Sequence, residues 1–423
     1  MNTYELLREQ MYADRLENGL PVFVIPKPGY RKTYAFFATD YGSIDIRFEK
    51  DGAWHETPAG VAHFLEHKMF DMPDGSNALQ MFARTGASPN AFTSHAMTAY
   101  HFEAAGDFEE NLRILLHFVA TPYFTEQSVA KERGIIGQEI RMIEDSPHNR
   151  LIENLLGALY ARHPMRLSIA GTEASIANIT ADMLYDCHKA FYHPSRMCLC
   201  VAGDVDPERV VSVARAILPG GRGAVITRDT GGEAGDRAYK HEVSASMEVS
   251  LPLFALGAVC PPPDGGMEAL RFDLLAELAM EALTGRASKL YRTLYNEGLI
   301  SRSYDQGFYR APGMFMMMCL GESREPARVR ELLLEEVERL TREGLDEVLF
   351  ERLKRAALGA RLRQMDAPES LCRLQAGAYF AGTDYFQFVS LFDTLTAQAA
   401  KDLLCMALTP ERMALSVVHG GHL

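Results

Sequence analysis

The sequence predicts an α+β fold made of two homologous α/β-sandwich halves, each a mainly antiparallel sheet packed with helices. Three observations predict it. Strand-length apolar runs alternate with longer segments of helical period on both sides of the midpoint. The order of these elements is alike in outline in the two parts, which points to an internal duplication. Between them lies Gly220–Asp236 (GGRGAVITRDTGGEAGD), rich in Gly and short polar residues, which reads as a linker. The expected division is residues 1–218, a linker over 219–240, and a second unit over 241–423.

In the first part, Leu20–Ile25 and Thr33–Tyr41 read as strands. A helix follows, with Thr57 as its N-cap and Pro58 at its first position, where the missing N–H costs nothing. A loop leads to a strand over Ser94–Ala104, then several helices, a strand over Met197–Gly203 and a helix from Asp206. The second part has a strand over Glu248–Leu256 and a helix over Met267–Leu283. Strands near Ser303–Tyr309 and Met314–Leu320 follow, then long helices from Glu325 and a closing strand over Met413–Val418.

Bulk properties are those of a soluble globular chain: 423 residues, 47% hydrophobic and 23% charged. The formal net charge of -13 argues against a nucleic-acid backbone as partner, which needs a basic footprint. No basic region followed by an apolar run opens the chain, and no apolar run reaches membrane-spanning length. The seven scattered cysteines read as reduced core thiols. Cys198 and Cys200 alternate in an apparent strand and read as small core residues rather than a metal site. A cytoplasmic location is the expectation.

The chemistry sits in Thr57–Phe70. His63 and His67 fall at i and i+4 on one helical face, with Glu66 on the same side within an arc of about 100°. Val61, Phe64, Leu65 and Met69 occupy the other side. Two neutral imidazoles can hold zinc while a nearby carboxylate takes a proton from water. The pattern H-x-x-E-H is the inverted form of a metallopeptidase motif. Taken alone, it also fits a solvated helix face.

A second helix, about Thr125 to Asp145, carries Glu132 and Glu139 seven residues apart, nearly eclipsed. Ile136 and Ile143 share that face, with Ile135 and Ile140 flanking it. Carboxylates on an apolar face are costly unless a cation meets them. Zinc resolves this; buried ion pairs to Lys or Arg are the alternative. Two His and one Glu with an open fourth position form a catalytic zinc pattern.

These residues resemble the insulinase or pitrilysin family of zinc peptidases, which includes the mitochondrial processing peptidase. Glu139 follows His67 by 72 residues, and Glu132 precedes it as the family pattern requires. The resemblance extends to Gly86–Thr93, Ala161–Gly171, Phe191–Met197 and Gly203–Asp206, so it covers nearly the whole chain. The length resembles the short bacterial zinc-bearing subunits. The resemblance implies a zinc endopeptidase in which His63, His67 and Glu139 bind the metal and Glu66 is the general base. Glu132 supports the site from behind and counts with Glu66 among its catalytic residues. Asn90, Ala91, Phe92 and Thr93 would form the substrate-binding edge, taking peptides or unfolded segments as an added strand.

One segment departs from the family. Active members carry an Arg and a Tyr in the second half. Here the matching stretch, Ser288–Leu299, holds Tyr295 at the Arg position and lacks one residue before Gly298; Tyr304 is a candidate for the Tyr. The resemblance therefore implies a heterodimer with a homologous zinc-less partner that supplies both groups. A homodimer using Arg286, Arg292 or Arg302 is the alternative, and a scaffold subunit on the same fold is the rival function. His55, His95 and His101 are candidates to approach the site or the substrate, and His419 and His422 read as a solvated tail.

Overall fold

The computed structural model describes residues 1–233 and 235–420. In chain order the strands are β1 (Asn2–Tyr4), β2 (Glu9–Arg15), β3 (Pro21–Pro26), β4 (Thr33–Thr39), β5 (Arg47–Lys50), β6 (Ala53–Glu56), β7 (Ser88–Thr93), β8 (Thr98–Ala104) and β9 (Met197–Gly203). They continue with β10 (Ile226–Arg228), β11 (Glu242–Met247), β12 (Leu253–Cys260), β13 (Asp305–Ala311), β14 (Met314–Glu322) and β15 (Met413–Gly420). The helices that build the site are α1 (Val61–Lys68), α2 (Ala78–Thr85), α3 (Phe108–Ala120), α4 (Glu126–Glu144) and α5 (Pro147–Leu159).

The sheets display the duplication directly. The seven-stranded sheet contains the order β3-β9-β4-β8-β7, and the five-stranded sheet has β11-β15-β12-β14-β13. In each, the first pair is parallel and the others are antiparallel. The α+β reading with two alike halves is what the structure has. β7 and β13 are the corresponding free edges.

Packing crosses between the halves reciprocally. α5, from the first half of the chain, lies against β11, β12 and β15. The helix Pro368–Phe380, from the second, lies against β4 and β9. Leu151, Leu155 and Leu159 of α5 are 1%, 0% and 2% exposed, so their burial belongs to the far sheet. Ser416 Oγ donates to the Leu151 carbonyl at 2.9 Å across the same contact.

Several local expectations shift. The Gly-rich segment contains β10, which pairs antiparallel with β5; its Val-Ile-Thr run favours a strand despite the surrounding glycines. Ser94–Ala104 divides into a turn at Ser94–Met97, closed by Ser94 N–H to Met97 O at 2.7 Å, and β8 proper. The strand expected at Glu248–Leu256 is β12, set further along at Leu253–Cys260. Thr57 and Pro58 do not start the helix. Thr57 N–H donates to the Ile46 carbonyl at 2.8 Å, and the N-cap is Gly60 at φ 95°. Only glycine serves there: a Cβ on Gly60 would lie 2.5 Å from the Ala170 carbonyl oxygen.

Candidate metal centre

α1 presents its histidines because its other face is anchored. Val61, Phe64 and Leu65, with Met69 just beyond, are buried in the first-half core. α4 crosses beside it. Thr125 caps α4 through a capping box with Ser128, and Val129, Ile136 and Ile140 are buried. Those anchors bring Glu132 and Glu139 to the histidines.

The ligand atoms converge. His63 Nε2 lies 3.5 Å from Glu139 Oε1, and His67 Nε2 lies 3.6 Å from Glu139 Oε2. Ligands at about 2.1 Å around a tetrahedral zinc stand roughly 3.4 Å apart, so the donor set fits that ion. His63, His67 and Glu139 form the one His/Cys/Asp/Glu group of metal-holding geometry among the described residues. Glu132 Oε1 lies 3.1 Å from His67 Nδ1, which fixes the proton there and leaves the Nε2 lone pair facing the cluster. Burial lowers the His67 pKa, but the bond to Glu132 and the charges of Glu66, Glu132 and Glu139 outweigh it, and the net shift is upward. The Glu139 carboxyl is lowered from its ordinary value, chiefly by the close approach of His63.

Glu66 is 8% exposed, and burial pushes its carboxyl above the ordinary value against the pull of Thr93, His63 and His67. Thr93 Oγ1 donates to Glu66 Oε2 at 2.7 Å. Thr93, expected as a substrate contact, thus also orients the candidate base. Asn90, Ala91 and Phe92 do lie on the free edge strand with it.

Lys68 belongs to the site although the H-x-x-E-H pattern does not include it. It is 1% exposed, pairs with Asp71, and its Nζ stands 4.0 Å from Glu132 Oε2. The signal was present: Lys68 falls three and four residues after Leu65 and Phe64, on the apolar stripe. Its charge offsets part of the carboxylate excess behind His67.

Other candidates lie elsewhere. His55 stacks on Phe48 at 5.3 Å. His95 contacts Tyr309 Oη at 3.1 Å, and His101 packs against Tyr34 and Phe36; burial lowers both histidines to about 4. His419 is exposed at the end of β15, and His422 lies outside the described residues. Cys198 and Cys200 are 0% exposed, as core residues. Ile135, expected to flank the buried face of α4, is instead 48% exposed, because the helix is rolled with its carboxylate row at the edge of the core.

In the second half the helix Met267–Thr284 holds the place before the free edge strand. There Asp273 and Glu277, also at i and i+4, meet Arg310 of β13 and Arg361. Side-chain ion pairs occupy that half. Tyr295 is 42% exposed and stacks on Tyr291, whereas Tyr304 is 8% exposed. Arg286, Arg292 and Arg302 are exposed.

Fold and cluster together define a protein with two corresponding main sheets, one in each half, and a candidate mononuclear metal centre in the first. The family model described as insulinase, peptidase family M16, matches residues 50–173, and that of the M16 inactive domain matches residues 178–357. The uncharacterized zinc protease YmfH of Bacillus subtilis is 37% identical over 98% of both chains. An M16-like peptidase from Alicyclobacillus acidocaldarius has a crystal structure matching at TM-score 0.94 with 32% identity, over 98% of this chain and 99% of that one. Pitrilysin matches in fold, at TM-score 0.76 and 16% identity, with this chain spanning 45% of its length. The chain belongs to the insulinase family of peptidases, M16. No helix among the described residues is long and apolar enough to cross a membrane.

Proposed function

We propose that this chain is a zinc-dependent endopeptidase subunit acting on peptides or unfolded segments held as an added strand along β7. The observation that carries the reading is the convergence of His63, His67 and Glu139 at 3.5 and 3.6 Å beside a buried Glu66. When bound there, zinc supplies Lewis acidity for a peptide carbonyl and lowers the pKa of water. Glu66 takes a proton from the attacking water and passes it to the departing amine nitrogen. Thr93 holds Oε2 of Glu66, which leaves Oε1 for the proton. The raised pKa of Glu66 brings its basicity closer to what neutral-pH proton transfer needs. Main-chain groups of β7 pair with the substrate backbone, so recognition tolerates many side chains.

The site as proposed also needs an Arg and a Tyr from outside this half. Tyr295 stands at the Arg position, and the hydroxyl of Tyr304 is buried without a partner. We infer a homologous zinc-less partner supplying both; a homodimer using Arg286, Arg292 or Arg302 is the variant of that assembly. The test is Glu66→Gln, assayed alone and with the partner. Zinc content should stay at one per chain while peptide cleavage falls at least a thousandfold. Retained cleavage refutes the general-base role, and wild-type protein unable to take up zinc favours the scaffold reading.

A further inference from the structure

Lys68 sits where a lysine is costly. It is the last residue of α1 and directly follows His67, yet it is 1% exposed. A buried ammonium is tolerated where carboxylates meet it. Two do so here. Asp71, just after α1, accepts a hydrogen bond from Nζ, and Glu132 of α4 presents Oε2 at 4.0 Å. Asp71 is itself fixed from its far side. Its Oδ1 accepts from Asn77 Nδ2 at 3.4 Å, and Asn77 caps α2 through the Leu79 N–H at 3.0 Å.

These contacts form one line into the metal centre. They run from the cap of α2 through Asp71 and Lys68 to Oε2 of Glu132, and from Oε1 of Glu132 to His67 Nδ1 at 3.1 Å. Each oxygen of Glu132 faces a different partner, which sets the plane of the carboxylate. A Glu side chain is long and loses much rotamer freedom when it is fixed. The second contact carries part of that ordering before any ion binds. An opposite effect runs beside it. Lys68 adjoins a candidate ligand, and its charge repels a dication through space. The two effects differ in sign, so an experiment separates them.

We propose that Lys68 is a positioning residue for the metal centre. It holds Oε2 of Glu132, so that Oε1 stays on His67 Nδ1 and the imidazole keeps Nε2 aimed at the cluster. The inference rests on the zinc reading above and adds to it how the site is ordered in advance.

Metal binding tests this without turnover. Zinc dissociation constants are measured by chelator competition for the wild type, Lys68→Met, Glu132→Gln and the double variant. Met has an unbranched apolar side chain that suits a dry site. Lys68→Met should weaken zinc binding by about three- to tenfold, less than loss of a direct partner of a ligand. In the Glu132→Gln background the same substitution should change the constant by less than about twofold, because its effect runs through Glu132. With cobalt in place of zinc, the visible absorption should shift in the same direction in Lys68→Met and Glu132→Gln. Unchanged or tighter zinc binding by Lys68→Met overturns the inference and leaves Lys68 a counter-charge. Equal weakening in both backgrounds overturns it as well and makes Lys68 a residue of the fold. Lys68→Gln, which keeps a polar head in the pocket, carries the same cycle if Lys68→Met does not fold. Wild-type protein that takes up no zinc overturns the metal reading beneath the inference, which the other outcomes leave standing.

Discussion

The candidate metal-holding cluster was legible at the residue scale because helical period alone puts His63, Glu66 and His67 together, and a second period brings Glu132 and Glu139 into one row. What period cannot show is the contact between elements. Thr93 reaching Glu66 depends on β7 lying beside α1, and Lys68 reaching Glu132 depends on how α4 crosses. Glu132 shows what such contacts do. It is a partly buried acceptor for His67 Nδ1, and partners of this kind are typically worth 10- to 100-fold in metal affinity. Glu132→Ala should therefore weaken zinc binding by about that factor, with Glu132→Gln recovering part of it because an acceptor oxygen remains. Competition with a chromogenic chelator measures this; unchanged affinity in Glu132→Ala would remove the residue from the site.

Elements follow the same division. The bounds of α4 were legible to within a residue, about Thr125 to Asp145 against Glu126–Glu144, while its capping box with Ser128 belongs to the structure. α1 was read to begin too early, because Gly60 is demanded by its approach to Ala170 and not by its neighbours in sequence. β10 was missed because its partner lies far away in the chain. That strand also carries Arg228, whose Nε stands 2.7 Å from Asp45 Oδ1 in an ion contact rather than an aligned hydrogen bond. Burial pushes the Asp45 carboxyl up to about 6, against the lowering pull of Arg228. The sign follows: the unfolded chain releases this proton first, so Asp45 costs no stability below its ordinary value near 3.8 and its full cost above about 6. Across that window the contribution to stability should fall with rising pH by roughly 3 kcal/mol. Asp45→Asn should lack this component, so its melting temperature should gain on the wild type between pH 4 and pH 6.5. A constant difference between the two proteins would show that Asp45 keeps an ordinary pKa when folded.

For the whole molecule, the matching element order was visible in the sequence, but the exchange of helices was not. Leu151, Leu155, Leu156 and Leu159 read as any amphipathic stripe, and nothing local says that the sheet they cover lies in the other half. The consequence is large. Each such side chain contributes about 1.5–3 kcal/mol when buried, so the four together carry roughly 6–12 kcal/mol. That is comparable to the entire stability of an ordinary domain, about 5–15 kcal/mol. Residues 1–218 expressed alone should therefore fail to melt cooperatively, although they contain the complete seven-stranded sheet and the His63, His67 and Glu139 cluster. A cut in the joining segment should be harmless by contrast. Gly220, Gly221 and Arg222 are exposed, and the helices that bind the halves together lie far from that segment in sequence. Limited trypsin cleavage after Arg222 should give two fragments on a denaturing gel that co-elute at the intact size in gel filtration and retain zinc. Separation of the fragments under native conditions would show that the exchanged helices do not hold the halves together.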